Sequence, residues 1–256
     1  MNNGKKVGII IIIAIILSIC ISAYSGYINN EAMANTTQKL NKDTLNLDDS
    51  FTPEVININI NQTTGAYLIN FTDSEDIATI TSQKSDNSQS VNVTNTQDGQ
   101  NLNIDINSDT DENVILLSNK YRYNINCKSI TGGYAVDVPT NAHVENLTTI
   151  VGLGGVAINL NGGVINNIQN QITIGGATIE GNTTGLVNVN STIAVGGLQI
   201  DINDPLNIHS DVLFGGSQLN KTETNNTTVD FVDSNYNSAE NRMNVNSNIQ
   251  IGGISA

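Results

Sequence analysis

The chain has no tryptophan, three prolines and two cysteines in 256 residues, and 4% of its residues are aromatic. Charge is scarce too, at 13% of residues, against roughly a quarter in ordinary soluble domains. Ten basic side chains stand against 24 acidic ones, a net charge of −14. That balance excludes nucleic acid as a partner, because binding there needs a basic stripe to displace counterions from phosphates. Few Ala, Leu, Glu and Lys, set against many Asn, Thr, Ile and Gly, exclude a mainly helical enzyme. Cys20 lies in an apolar run and Cys127 far downstream, so there is no disulfide framework. Cys127 reads as a small buried hydrophobe, with an intermolecular disulfide as the sharper alternative.

What the chain does have is 42 asparagines and one long uncharged run near its start. After Lys5 and Lys6, no charge occurs before Glu31, a span of 24 residues. As helix this is about 36 Å, enough for a hydrocarbon core of about 30 Å. The reading is a cytoplasmic stub over 1–6, a transmembrane signal anchor over 7–28 and a polar linker over 29–50. An exterior domain then runs from 51 to 256, with the lysines keeping the N-terminus inside. The competing reading is a cleaved signal peptide ending at Ala23. Lipid attachment at Cys20 fits poorly, since Ile19 is not small. Within the linker, 39–49 is a candidate short helical piece. From Glu31 onward the chain has 24 acidic and 8 basic side chains, a surface repelled by anionic headgroups.

From Val55 the pattern becomes period two. Ile56, Ile58 and Ile60 alternate with Asn57, Asn59 and Asn61, and Leu102, Ile104 and Ile106 repeat the scheme. Between two such runs, Asp98-Gly99 predicts a hairpin turn. The strongest signal follows: Gly-Gly pairs at 132–133, 154–155, 175–176, 196–197, 215–216 and 252–253, spaced 22, 21, 21, 19 and 37. About twenty residues suffice for three short strands and their corners, which is one coil of a β-solenoid. Stacking predicts two inward aliphatic columns, Val151/Ile172/Ile193/Val212 and Leu153/Ile174/Val195/Phe214. The glycines form corner columns, and the asparagines form outward ladders. An antiparallel sandwich with Gly-rich turns is the competing fold. Residues 220–245 are expected to form one extra coil with Val229 and Phe231 inward, or a disordered insert. The last strand at 256 is expected to leave an unpaired edge, open to a homo-oligomer through the C-terminal coil.

Tyr134-Ala135-Val136-Asp137-Val138-Pro139 leads to Val144-Glu145-Asn146-Leu147-Thr148-Thr149-Ile150-Val151-Gly152-Leu153-Gly154-Gly155. These residues resemble the toastrack-type adhesin family, in which a strand ending in a Val-Pro turn leads to Gly-cornered repeats. The resemblance covers about 51–256. It implies a single-stranded right-handed β-helix, tethered to a membrane at the cell envelope. Some members are similar to regulators of envelope-stress responses. It supplies no catalytic residues.

The search for chemistry is mostly negative. His143 and His209 have no second His or Cys at metal-ligand spacing, and no Ser sits in a nucleophile elbow. Gly152-x-Gly154-x-x-Ala157 matches a dinucleotide fingerprint, but strand pattern follows where a helix is required. Asp105, Asn107, Asp109 and Asp111 alternate like the start of a calcium loop. Thr110 replaces the required Gly, however, and Leu116 the bidentate Glu. The outward column Asn159/Glu180/Asp201/Asn220 brings two acids together on adjacent coils, the one pattern that suits a polysaccharide-active enzyme. Ten Asn-x-Ser/Thr sequons follow largely from the asparagine content.

The sequence therefore points to a non-enzymatic, membrane-anchored surface solenoid. It needs no cofactor, and its expected partner is an envelope glycan or surface protein. An envelope-stress sensing subunit and a self-assembling scaffold are the alternatives.

Overall fold

The computed structural model describes residues 40–45, 52–83, 91–108, 112–219, 222–224 and 228–256. The expected stub and membrane anchor, with Cys20 and Ala23, lie outside these residues. Among the described residues no helix is long and apolar enough to cross a membrane. Inside the expected linker, residues 40–45 are not helical. They form β1 (Leu40–Leu45), antiparallel to β3 (Ala78–Gln83). An isolated helix so short is unstable in water, whereas the edge of β3 offers backbone partners.

The described chain is all-β, in one long sheet. Six strands carry most of it: β2 (Val55–Thr72), β7 (Arg122–Pro139), β8 (His143–Asn161), β9 (Val164–Asn182), β10 (Leu186–Ile202) and β11 (Leu206–Leu219). A seventh, β14 (Arg242–Ser255), closes the chain. They pair in parallel, with Asn146 beside Asn167 and Asn167 beside Asn188, an offset of 21. Three residues separate the end of β7 from the start of β8, yet Arg122 pairs with His143. Each strand must therefore bend round until its end lies beside its own start, one layer up. This is consistent with a β-solenoid in which one strand makes each coil. The single 22-residue spacing has a local cause. Tyr123 pairs with Val144 and Asn124 with Asn146, so Glu145 is the extra residue of a bulge.

The coils do not stack in sequence order, which corrects the expectation. β5 (Asn101–Ser108) and β6 (Glu112–Ser118) together make one coil, lying on β2. β2 lies in turn on β7, and β7 to β10 follow in order. β14 then inserts between β10 and β11, parallel to both. The strand ending the chain is thus paired on both sides, not an open edge, and the Ala256 amide donates to the Gln218 carbonyl at 3.0 Å. The 37-residue gap reflects this insertion. The described residues between β11 and β14 form no extra coil. Their described part holds β12 (Thr222–Thr224), β13 (Thr228–Val232) and a 3-10 turn at Tyr236–Ser238. β12 and β13 lie antiparallel on the outer edge of β11, with Val229 and Phe231 packed against the core as expected. At the other end β4 (Asn92–Asp98) covers β5, turning at Gly99 (φ +61°), and β3 covers β6. Coil edges at both ends are therefore largely covered.

Alternation sets the core. Ile58, Ile125, Leu147, Ile168, Val189, Val245 and Ile208 form a buried aliphatic column. The expected column Val151/Ile172/Ile193/Val212 is buried, with Ile249 joining it. The other expected column is not. Leu153, Ile174 and Phe214 point outward, at 49%, 48% and 66% exposure, and Val195 is half-buried. The chain bends immediately before the glycines, so two successive residues, such as Gly152 and Leu153, face the convex side. One interior column is polar: Thr149 donates to Asn170 at 2.7 Å, Asn170 to Ser191 at 3.2 Å and Ser247 to Ser210 at 2.6 Å.

The corner column runs Gly65, Gly132, Gly154, Gly175, Gly196, Gly252, Gly215. At Gly175, with φ +140°, an added Cβ would lie 1.6 Å from the Gly154 carbonyl oxygen. Gly99 also has positive φ but open space around it. Gly175→Ala should therefore cost at least about 3 kcal/mol, since backbone must move, and Gly99→Ala about 1 kcal/mol. Denaturant unfolding of both variants checks this; equal costs would show that strain, not close approach, selects the corner glycines.

Candidate functional site

The coil register places like residues over like. Asn103, Asn57, Asn124, Asn146, Asn167, Asn188, Asn244 and Asn207 fall on one line across all eight coils. Six of the eight amides donate to a neighbour, all in one direction: Asn57 to Asn103, Asn124 to Asn57 and Asn146 to Asn124, all at 2.8 Å, then Asn167 to Asn146 at 3.0 Å. Asn188 donates to Asn167 at 3.5 Å and Asn207 to Asn244 at 2.9 Å. At about 4.8 Å per coil the line is about 34 Å long.

A second row, two residues further along each strand, runs Asp105, Asn59, Asn126, Thr148, Gln169, Asn190, Asn246, His209. Asn59 donates to Asp105 at 2.9 Å and Asn126 to Asn59 at 3.0 Å. The two rows make a grid of thirteen amides and the Thr148 hydroxyl, with Asp105 and His209 at opposite ends of the second row, repeating every ~4.8 Å across coils and ~6.8 Å along strands. Sequence reading foresaw the ladders but not their extent, because coils in 55–116 lack the Gly-Gly mark. Gly65 stands in the corner column next to Ala66, so a search for paired glycines misses it.

The remaining candidates are scattered. Asp105 and Asn107 lie in strand β5 rather than in a loop, joined to Asn59 and Asn61; Asp109 and Asp111 lie outside the described residues. Gly152 to Ala157 are strand, with no helix to hold a dinucleotide. Glu180 and Asp201 are ladder neighbours on adjacent coils, as expected, and both are exposed; Asn220 lies outside the described residues. Cys127 is buried, and burial pushes its thiol well above the usual range. It is unsuited to an intermolecular disulfide. Among the described residues no three His, Cys, Asp or Glu side chains group closely enough to hold a metal ion.

Both histidines have carboxylate partners. His143 Nε2 lies 3.2 Å from Glu145 Oε1. Arg122 also donates to that carboxylate and holds it below the usual range, with burial opposing and Asn166 assisting. His209 Nδ1 lies 2.6 Å from Asp230 on β13, with Asp211 3.8 Å from Nε2. The bond to Asp230 is the main cause that raises His209 above its ordinary 6.5.

A crystal structure described as that of a "putative cell adhesion protein" from Clostridium sporogenes is similar to this fold. Its TM-score is 0.57 at 15% identity, covering 86% of this chain and 98% of that one. At that identity the likeness is one of fold alone. The chain matches no family model, so none stands behind the toastrack resemblance. It also matches no curated protein sequence.

Two predictions follow from this geometry. Asn167→Ala removes two solvent-accessible amide bonds and should cost at most about 1 kcal/mol, whereas Asn170→Ala leaves buried Thr149 and Ser191 without a partner and should cost about 2–4 kcal/mol. Thermal unfolding of the two variants measures the difference. For His209, the raised folded-state value means that its bond to β13 is fully stabilising below about pH 6.5. That contribution is lost as pH rises through the folded-state value, and solvent screening keeps it small. Hydrogen exchange of the β13 amides, corrected for intrinsic rates, should lose protection across that window in the native chain but not in His209→Gln.

Proposed function

We propose that this chain is a non-enzymatic recognition module of the toastrack type, held on a membrane by its N-terminal apolar segment, and that the amide grid binds neutral envelope polysaccharide. The observation that carries this reading is the grid itself. An amide both donates and accepts, so a flat array of them suits a ligand bearing hydroxyls at repeated intervals. Few charges lie within it, which suits a neutral glycan better than a polyanion. The fold-level likeness to a protein described as a putative cell adhesion protein agrees with this reading. The exposure of Glu180 and Asp201 argues against glycoside hydrolysis, where one carboxyl is kept protonated by burial. Antiparallel strands on both end coils argue against a scaffold that grows end to end.

The test is retention of the full chain on immobilised polysaccharide from cell envelopes. The native chain should be retained. A variant carrying Asn146→Ala, Asn167→Ala and Gln169→Ala should bind at least tenfold more weakly with little change in thermal unfolding. Capture of a membrane protein in place of polysaccharide, unaffected by the triple variant, would replace this reading with that of a regulatory subunit.

A further inference from the structure

The outward turn before the glycines leaves a second repeated feature. Leu153, Ile174, Val195, Ile251 and Phe214 stack on consecutive coils from β8 to β11, with Ile130 and Leu213 widening the two ends. Apart from half-buried Val195, these side chains are 47–66% exposed. Together they show on the order of 500 Å² of apolar surface, near the top of what a monomer ordinarily exposes. Between the ends, the adjacent positions are small or polar: Gly152, Thr173, Ala194 and Gln250.

Charge is nearly absent beside this ridge. On the far side of the glycines the flanking row is Ala135, Ala157, Thr178, Gln199, Ser255 and Gln218. On the near side Ile150, Gln171, Thr192 and Asn248 separate Lys128 at the β7 end from Asp211 at the β11 end. In a chain of net charge −14, two copies meeting along this line face few like charges.

We propose that this ridge is the contact through which two copies of the chain pair, side by side and antiparallel. Three observations select a second copy. The ridge has the ~4.8 Å repeat of stacked coils, which the same ridge on another copy matches throughout its length. A two-fold axis crossing the ridge between β9 and β10 lays Ile130 against Leu213 and Phe214, Leu153 against Ile251 and Ile174 against Val195. The same axis sets Lys128 of each copy opposite Asp211 of the other, twice over. Two ridges bury about 1,000 Å² in all, the lower bound for a specific interface, so the dimer is a reversible one.

Sedimentation of the full chain in neutral detergent tests this. A concentration-dependent dimer is expected. Leu153→Glu with Ile174→Glu should weaken it at least tenfold while thermal unfolding stays unchanged, because both side chains are exposed. Lys128→Asp and Asp211→Lys should each weaken pairing alone, and an equimolar mixture of the two single variants should regain it as a heterodimer. Three results would overturn the proposal: a monomer up to about 100 µM, a dimer indifferent to the glutamates, or a monomer whose ridge instead inserts into neutral lipid vesicles. Failure of the mixture to recover would overturn the antiparallel arrangement.

Discussion

Successive coils approach one another at the corner more closely than any Cβ allows. From Gly132 to Gly215 an added methyl would fall 1.4–1.7 Å from the carbonyl oxygen of the coil beside it. This contact sets the register of the whole stack, because a slip of one residue would drive a side chain into that column. Once register is set, the rest follows from alternation. Ile and Val fall on Ile and Val inside, and Asn falls on Asn outside. Neither the aliphatic columns nor the amide ladders could persist across the seven glycine-cornered coils if the glycines did not hold their strands in phase.

The topology adds a second constraint. At both ends the outermost coil is separated from the main stack by a strand from elsewhere in the sequence. β2 lies between the β5/β6 coil and β7, and β14 lies between β10 and β11. Until β14 arrives, β10 and β11 have no parallel partner on their facing edges. The last described strand is therefore part of the interior of the stack, and its contacts are far apart in sequence. Such arrangements fold slowly, since loop closure precedes the reward. Antiparallel cap strands then shield the outer coils, which reduces edge-to-edge association.

Much of this was legible in the sequence. The Gly-Gly spacing identified which residues stack from β7 to β10, and the column through Val151 and Ile172 is buried as read. Two errors have physical causes. Strict period two placed Leu153 and Ile174 inside, but a bend presents two successive residues to its convex side. β14 lies between β10 and β11, whereas stacking in sequence order would put it at the end. A signal against that was present. Asn188-Val189-Asn190-Ser191 in β10 recurs as Asn244-Val245-Asn246-Ser247 in β14, while β11 has Asn207-Ile208-His209-Ser210. The two strands most alike are neighbours, since ladders favour identical side chains at each rung. Within the candidate site, the asparagine rows were readable as ladders. That β5 and β2 extend them was not, because a glycine pair marks the other coils and β2 has only Gly65.

The distribution of polarity over the surface bears on how such a module would work. Grid side chains are nearly all amides and include no Phe, Tyr or Trp, so no single site offers the stacking surface on which tight sugar binding ordinarily relies. Each contact is then weak, worth about 1 kcal/mol or less once water is displaced. Repetition is the available remedy. A ligand that repeats along its length can engage several rungs at once, and each further rung binds at high effective concentration. An eight-rung ladder supplies that within one chain. Pairing two chains along the apolar ridge, whose flanking row lies two residues from the grid's second row, would double the rungs presented. On the proposed reading, the scarcity of aromatics and the length of the ladder belong to one design, in which affinity would come from the number of contacts.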